Sequence, residues 1–129
     1  MTLLDTHALI WLATAPENLS RSAREAIRAA SGSGGLAISA ITLWELAWLA
    51  THNRLEINGT PDAIVEEFSS RTAILPITVK IALLASHLPV SYPNDPCDRL
   101  IGATAMSEGI ALITKDRTIR SCKQIKTIW

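Results

Sequence analysis

Residues 39–52, Ser-Ala-Ile-Thr-Leu-Trp-Glu-Leu-Ala-Trp-Leu-Ala-Thr-His, spell a helix that is apolar on nearly every side and carries one carboxylate, Glu45, in its middle. A helix of that kind belongs inside a core. A charge held among Ile41, Leu43, Trp44, Leu46, Trp48 and Leu49 costs several kcal/mol unless a partner compensates it. The rest of the chain must therefore supply something that neutralises Glu45.

Around this helix the pattern alternates. A short apolar start at residues 2–4 runs into Asp5, and a helix capped near Asp5 then continues until Pro16 stops it. Residues 20–30 place Leu19, Ala23, Ile27 and Ala30 on one face and Arg21, Arg24, Glu25 and Arg28 on the other, an amphipathic surface helix. A glycine-rich stretch, 31–35, ends it, and residues 36–38 make a brief buried strand. Thr60-Pro61 opens a further helix with Ile64, Val65 and Phe68 inward. Residues 73–77 read as a strand, Thr78 caps a helix running to 88, and a turn-rich loop over 89–96 leads to a helix that Gly109 stops. A buried strand at 110–114, a short helix and a last strand complete the chain. Strands alternating with helices argue an α/β fold, one domain over residues 1–129 with a mostly parallel central sheet of about five strands flanked by helices.

Composition narrows the class. Apolar residues make up 48% and charged residues 19% of 129, enough for one real core. Lysine plus arginine balances aspartate plus glutamate at 12 each, so net charge alone gives no reason to expect a nucleic-acid partner. The distribution is uneven, with Arg99, Lys115, Arg117, Arg120, Lys123 and Lys126 against only Glu108 and Asp116 from residue 99 onward. Cys97 and Cys122 are too few and too far apart for a disulfide framework or a C-x-x-C zinc site. The start has no basic leader and no apolar run is long enough for a membrane span, which points to a cytoplasmic protein with no membrane partner. Gly32, Gly34 and Ala37 nominally fit G-x-G-x-x-G/A, but the pattern follows a helix and opens a strand, the reverse of a dinucleotide site.

In parallel sheets ligands bind beyond the carboxyl ends of the strands. Asp5 and Asp116 both follow a strand, Asp98 sits in the first turn of a helix after a long loop, and Glu45 lies a turn and a half into the apolar helix. Four carboxylates on one edge repel and raise one another's pKa unless a cation neutralises them, and all-oxygen sites suit Mg²⁺ or Mn²⁺. Such an ion binds a phosphate oxygen and activates a water, which points to hydrolysis of phosphodiester bonds. Each acid also has a plainer job available. Asp5, Asp95 and Asp116 are placed to cap helices, Asp98 suits a helix dipole, and Thr42-x-x-Glu45 fits a capping box. The last of these starts the helix at Thr42, although its apolar pattern begins earlier.

His7, His52 and His87 have no zinc-ligand spacing, and His52 lies near a helix C-terminus. The cations Lys115, Arg117 and Arg120, with Arg99 beside Asp98, are placed to hold the phosphates flanking a scissile bond near the acids, with a solvated surface as the alternative. Four tryptophans beside one Phe and one Tyr exceed what this core needs, and Trp11, Trp44 and Trp48 are candidates for a protein-facing groove.

The stretches Leu-Leu-Asp-Thr-His-Ala-Leu-Ile-Trp-Leu at 3–12, Ser-x-x-Thr-x-Trp-Glu-Leu at 39–46, Asp-Pro-Cys-Asp-Arg-Leu-Ile at 95–101 and Leu-Ile-Thr-Lys-Asp at 112–116 resemble those of PIN-domain ribonucleases, in particular VapC-type toxins of toxin–antitoxin pairs. The resemblance implies a Mg²⁺- or Mn²⁺-dependent endoribonuclease held in check by a cognate antitoxin protein and paired with itself as a homodimer. By position, Asp5, Glu45 and Asp98 match the family's metal-binding acids, Asp116 its fourth and more variable acid, and Thr6 a small hydroxyl residue near the site. The antitoxin is implied to enter a groove formed by the early helices. Cys97 stands where an aromatic is common in similar sequences, a departure that concerns packing. Two other classes remain open: a catalytically silent PIN-like module that binds RNA or protein, and a phosphoaspartate enzyme with Asp5 as nucleophile, the latter weakened because His7 stands where a second acid is expected.

Overall fold

A computed structural model describes residues 1–32 and 35–129. The chain runs β1 (Thr2–Leu4), α1 (Thr6–Thr14), a 3₁₀ turn (Pro16–Asn18), α2 (Arg21–Gly32), β2 (Leu36–Ser39), α3 (Ala40–Thr51), α4 (Pro61–Ser69), β3 (Ala73–Leu75), α5 (Val79–Ser86), α6 (Pro96–Glu108), β4 (Leu112–Ile113), α7 (Arg117–Arg120) and β5 (Thr127–Ile128). The expected alternation is present, with the strand at 73–77 shortened to its first three residues and that at 110–114 to Leu112–Ile113. The middle glycine of the nominal dinucleotide pattern, Gly34, lies outside the described residues.

The five strands form one sheet in the order β3-β2-β1-β4-β5, every pairing parallel. From β1 the chain winds outward through β2 to β3, then returns to lay β4 and β5 on the other side of β1. The winding direction thus reverses between β1 and β4, and the crevice beyond their carboxyl ends is where such sheets bind ligands. Leu3 is in register with Leu112 and Leu4 with Ile113, which brings Asp5, directly after β1, level with Thr114, directly after β4.

Both faces of the sheet are covered, so its strands carry consecutive apolar residues. Leu4, Ile38 and Ile113 point into a cluster with Leu9, Leu19, Ile27, Leu46, Ile64 and Phe68. Their neighbours Leu3, Ala37 and Leu112 point the other way, toward Leu88, Tyr92, Ile101, Ile119 and Ile125. Each such side chain contributes about 1.5–3 kcal/mol by leaving water.

Caps start the helices as the sequence suggests. Asp5, Ser39, Thr60, Thr78, Asp95 and Asp116 each accept a backbone N–H at the first turn of the helix they precede. Because Ser39 caps α3, the helix begins three residues before a Thr42–Glu45 capping box allows, and Glu45 is released from that role. Gly109, at φ 64°, ends α6 in the left-handed conformation that glycine adopts without penalty.

One expectation fails. α3 is not enclosed: only Thr42 and Leu46 on it are fully buried, while Trp44 is 57% and Trp48 40% exposed. Short strands and small neighbouring helices leave α3 with one covered face, so its remaining apolar surface faces outward. Trp48 offsets part of this by stacking on His52, ring centroids 4.1 Å apart.

Candidate active site

Three threonine hydroxyls, of Thr6, Thr42 and Thr114, surround the acids that lie beyond the carboxyl ends of β1, β2 and β4. Asp5 caps α1, its Oδ1 accepting the Ala8 N–H at 2.7 Å, and Thr114 hydrogen-bonds the same carboxylate. Thr114 Oγ1 also accepts the Asp116 N–H at 3.2 Å, so this fully buried threonine ties the two strand-end acids together. Asp116 in turn caps α7 through Thr118 and Ile119.

On the β2 side, Thr6 Oγ1 donates to Glu45 Oε1 at 2.6 Å and lies 3.2 Å from Thr42 Oγ1. Thr6 has one hydroxyl proton; since Glu45 takes it, Thr42 must be the donor of the second contact. Glu45 therefore sits within an apolar helix with a hydroxyl relay as its direct partner, not a cation. Asp98 comes from the first turn of α6, whose start Asp95 fixes by accepting the Cys97 and Asp98 N–H groups at 2.8 and 3.3 Å.

These acids feel one another. Burial is the largest cause raising Asp5 above the ordinary carboxylate range, with Asp116 adding to it and the bonds from Thr114 and Ala8 opposing. Glu45 is raised by burial and by Asp95 and Asp5, against the Thr6 hydrogen bond. Asp98 is pushed up to about 7, first by burial and then by Asp95, Glu45, Asp116 and Asp5. The same negative field, after burial, holds the Cys97 thiol up at about 12, which removes it as a nucleophile. Among the described residues the only salt bridge is Arg21–Glu25 on α2, so no lysine or arginine pairs with any site acid.

Uncompensated carboxylates in mutual range, presenting oxygen donors only, fit a hard divalent cation. Among the described residues no three acids, histidines or cysteines stand close enough to enclose an ion. Mg²⁺ needs only one or two carboxylates and keeps several waters.

The other sequence candidates divide. Lys115 is at the site's edge, its Nζ 5.5 Å from the Trp11 ring centroid, and Arg117 and Arg120 are exposed on α7. Arg99 points away: its guanidinium donates to the carbonyls of Ala85, Leu88 and Pro89 at 3.0, 3.2 and 3.4 Å, which clamps the end of α5 rather than facing the acids. The tryptophans do not form one patch. Trp11 lies against His7 and Trp129, whereas Trp48 lies against His52, and no ring contact among the described residues joins the two groups. A groove of about 590 Å³ between α1, α2 and α4 is lined by Leu9, Leu12, Ile27 and Phe68 and by none of these tryptophans.

Sequence reading missed Thr42, Thr114 and Tyr92. Thr42 lies three residues before Glu45 on the same helix face, a signal present but read as a possible cap. Tyr92, in the loop before α6, buries its ring and donates to the Asp98 carbonyl at 2.7 Å; nothing local marks it, because the contact exists only once α6 packs there. Gly102 makes room for it, since a Cβ at that position meets the Tyr92 hydroxyl and Ile125 Cδ1.

The chain matches known proteins along nearly its whole length. The model of the PIN domain family matches residues 2–123. Ribonuclease VapC22 of Mycobacterium tuberculosis is 39% identical over 129 residues, 98% of this chain and 97% of the relative. Among solved structures, DNA-bound VapBC from Salmonella typhimurium superimposes with a TM-score of 0.71 at 26% identity, over 98% of this chain and 97% of that one. VapBC2 from Rickettsia felis, bound to a DNA fragment from its promoter, gives a TM-score of 0.76 at 17% identity, over 98% and 96% of the two chains, a likeness of fold. With its parallel sheet, its acids at the β1–β4 switch and these matches along nearly its whole length, the chain belongs to the PIN domain family, among its VapC-like members.

Proposed function

We propose that this protein is the toxin of a toxin–antitoxin pair, an endoribonuclease that hydrolyses RNA phosphodiester bonds with Mg²⁺ or Mn²⁺. The observation that carries the reading is the set of Asp5, Glu45, Asp98 and Asp116 at the sheet's switch point, raised or crowded by one another and paired with no cation among the described residues. These four are the candidates to hold the metal, one or two of them directly. When bound, it supplies a Lewis acid for the phosphate oxygen and lowers the pKa of a water for attack. The chain's own share is placement. Thr114 fixes Asp5 and Asp116, Thr6 fixes Glu45, Asp95 and Tyr92 fix the turn that bears Asp98, and Lys115, Arg117 and Arg120 offer positive charge for flanking phosphates.

One similar solved structure, 26% identical, is a toxin–antitoxin complex, which supports an antitoxin as partner. The apolar groove between α1, α2 and α4 is a suitable place for an inserted antitoxin segment, and the exposed Trp44 and Trp48 extend the apolar surface elsewhere. Exposed Ile74, Ile77, Val79 and Leu83 support self-pairing through the β3–α5 side. Among the described residues no helix is long and apolar enough to cross a membrane.

Incubation of the full chain with total RNA, with and without Mg²⁺ or Mn²⁺, tests the reading. Metal-dependent cleavage that Asp98→Asn abolishes supports it. RNA binding without cleavage under every metal condition would instead favour a silent binding module.

A further inference from the structure

Arg99 follows Asp98 directly in sequence, yet its side chain leaves the acids and returns to the preceding helix. Nη1 donates to the carbonyls of Ala85 and Leu88 at 3.0 and 3.2 Å, and Nη2 to that of Pro89 at 3.4 Å. These carbonyls lie in the last turn of α5 and just beyond it, where a helix runs out of its own N–H donors. For Ala85 the shortage is built into the sequence. The donor that would reach its oxygen from four residues on belongs to position 89, and a proline there has no N–H. Arg99 supplies the missing donor, and its charge meets the negative end of the α5 dipole.

Backbone and side chain of this one residue thus close both ends of the loop over residues 87–95. The Arg99 N–H bonds the Asp95 carbonyl at 3.1 Å and so completes the first turn of α6, while the guanidinium holds the end of α5. Between the two ends lies Tyr92, its ring centre 5.9 Å from the guanidinium carbon and its hydroxyl on the Asp98 carbonyl at 2.7 Å. The first turn of a helix has the fewest ladder bonds, and the bond from the Asp98 N–H to Asp95 Oδ1 is long at 3.3 Å. Apolar packing of α5 on α6, through Ile81, Ala85 and Ala103, is centred more than a turn beyond Asp98. Resting on the metal reading of the acids given above, we infer that Arg99 is a positioning residue: it locks the first turn of α6 to the end of α5 and so fixes where the Asp98 carboxylate stands. The job calls for an arginine, because its rigid fork serves three carbonyls, whereas a lysine ammonium is a point charge on a flexible stem.

The sign of the effect on metal affinity separates positioning from charge. A cation near the acids repels Mn²⁺, so a role for charge alone predicts tighter Mn²⁺ binding by Arg99→Met and wild-type binding by Arg99→Lys. Positioning predicts weaker binding in both, by about 10- to 100-fold, the range for losing a residue that orients a metal ligand. Calorimetric titration of Mn²⁺ alone into the RNA-free full chain, well below each variant's melting temperature, reads the difference. Hydrogen exchange at the Asp98 and Arg99 amides should quicken in both variants, while the Leu112 amide, bonded to the Lys126 carbonyl across β4 and β5, should exchange as in wild type. If Arg99→Met does not fold, Arg99→Lys, which keeps the charge and the stem, decides alone. A lowered melting temperature with unchanged Mn²⁺ affinity, or tighter binding by Arg99→Met, overturns the positioning role and leaves the metal site standing. A wild-type chain that binds no Mn²⁺ overturns both.

Discussion

Thr6 and Glu45, 39 residues apart in sequence, share a 2.6 Å hydrogen bond that gives the carboxylate of an apolar helix its direct partner. Thr6→Val keeps the shape and removes the donor. The variant should fold with a stability loss of about 1.5–3 kcal/mol, the scale for a bond to a charged acceptor. Its Mn²⁺ affinity should fall about tenfold, as expected when a residue orienting a metal ligand is lost. Titration calorimetry and thermal melts measure both, and unchanged metal affinity would remove Glu45 from the proposed metal site.

Asp98→Asn should abolish cleavage without unfolding the chain. Asp98 titrates near 7 in the fold against its ordinary 3.8, so the folded state binds this proton more tightly than the unfolded one. Its favourable contribution is therefore complete below about pH 4 and is lost as pH rises toward 7. Metal-free wild type should lose stability over that window, by about 1–2 kcal/mol once solvent screening at a partly exposed group is allowed for. The Asn variant should lack this loss. Added Mg²⁺ should restore wild-type stability above pH 7 and leave the variant little changed; equal melting curves for both proteins across pH would contradict the crowding of the acids.

Replacing Arg117 and Arg120 by Ala should weaken RNA binding and flatten its salt dependence. Two phosphate contacts to a single strand correspond to a slope change of about 1.4 in log K against log salt. An unchanged slope would assign both arginines to the solvated surface.

Gly102→Ala should destabilise the protein by about 1–3 kcal/mol, because a methyl group there displaces the Tyr92 hydroxyl from the Asp98 carbonyl. Denaturant melts read the loss. A fully stable variant would show that the Tyr92 loop yields freely and does not fix the start of α6.

Trp44, at 57% exposure, should emit as a solvent-exposed indole when Trp11, Trp48 and Trp129 are replaced by Phe. A blue shift on adding the cognate antitoxin places the partner on α3. An unshifted spectrum in a formed complex would leave the α1–α2–α4 groove as the docking site.

Much of this protein is written locally. Asp5, Ser39, Thr60, Thr78, Asp95 and Asp116 cap their helices through bonds spanning two or three residues, and Gly109 stops α6, so sequence reading finds these boundaries without the fold. Paired apolar residues such as Leu3-Leu4 and Ile113 beside Leu112 announce strands buried on both faces. The candidate acids are legible for the same reason, Asp5 and Asp116 as polar residues just past strands, Glu45 as a charge on an apolar helix, and Asp98 in the first turn of α6. Tertiary structure alone decided what lies between them. Which hydroxyl holds Glu45, that Thr114 joins Asp5 to Asp116, that Arg99 turns to α5 and that one side of α3 stays open all depend on contacts between segments separated in sequence. Such contacts carry no local periodicity. They follow from the strand order, which sets β4 beside β1 and leaves α3 covered on a single face.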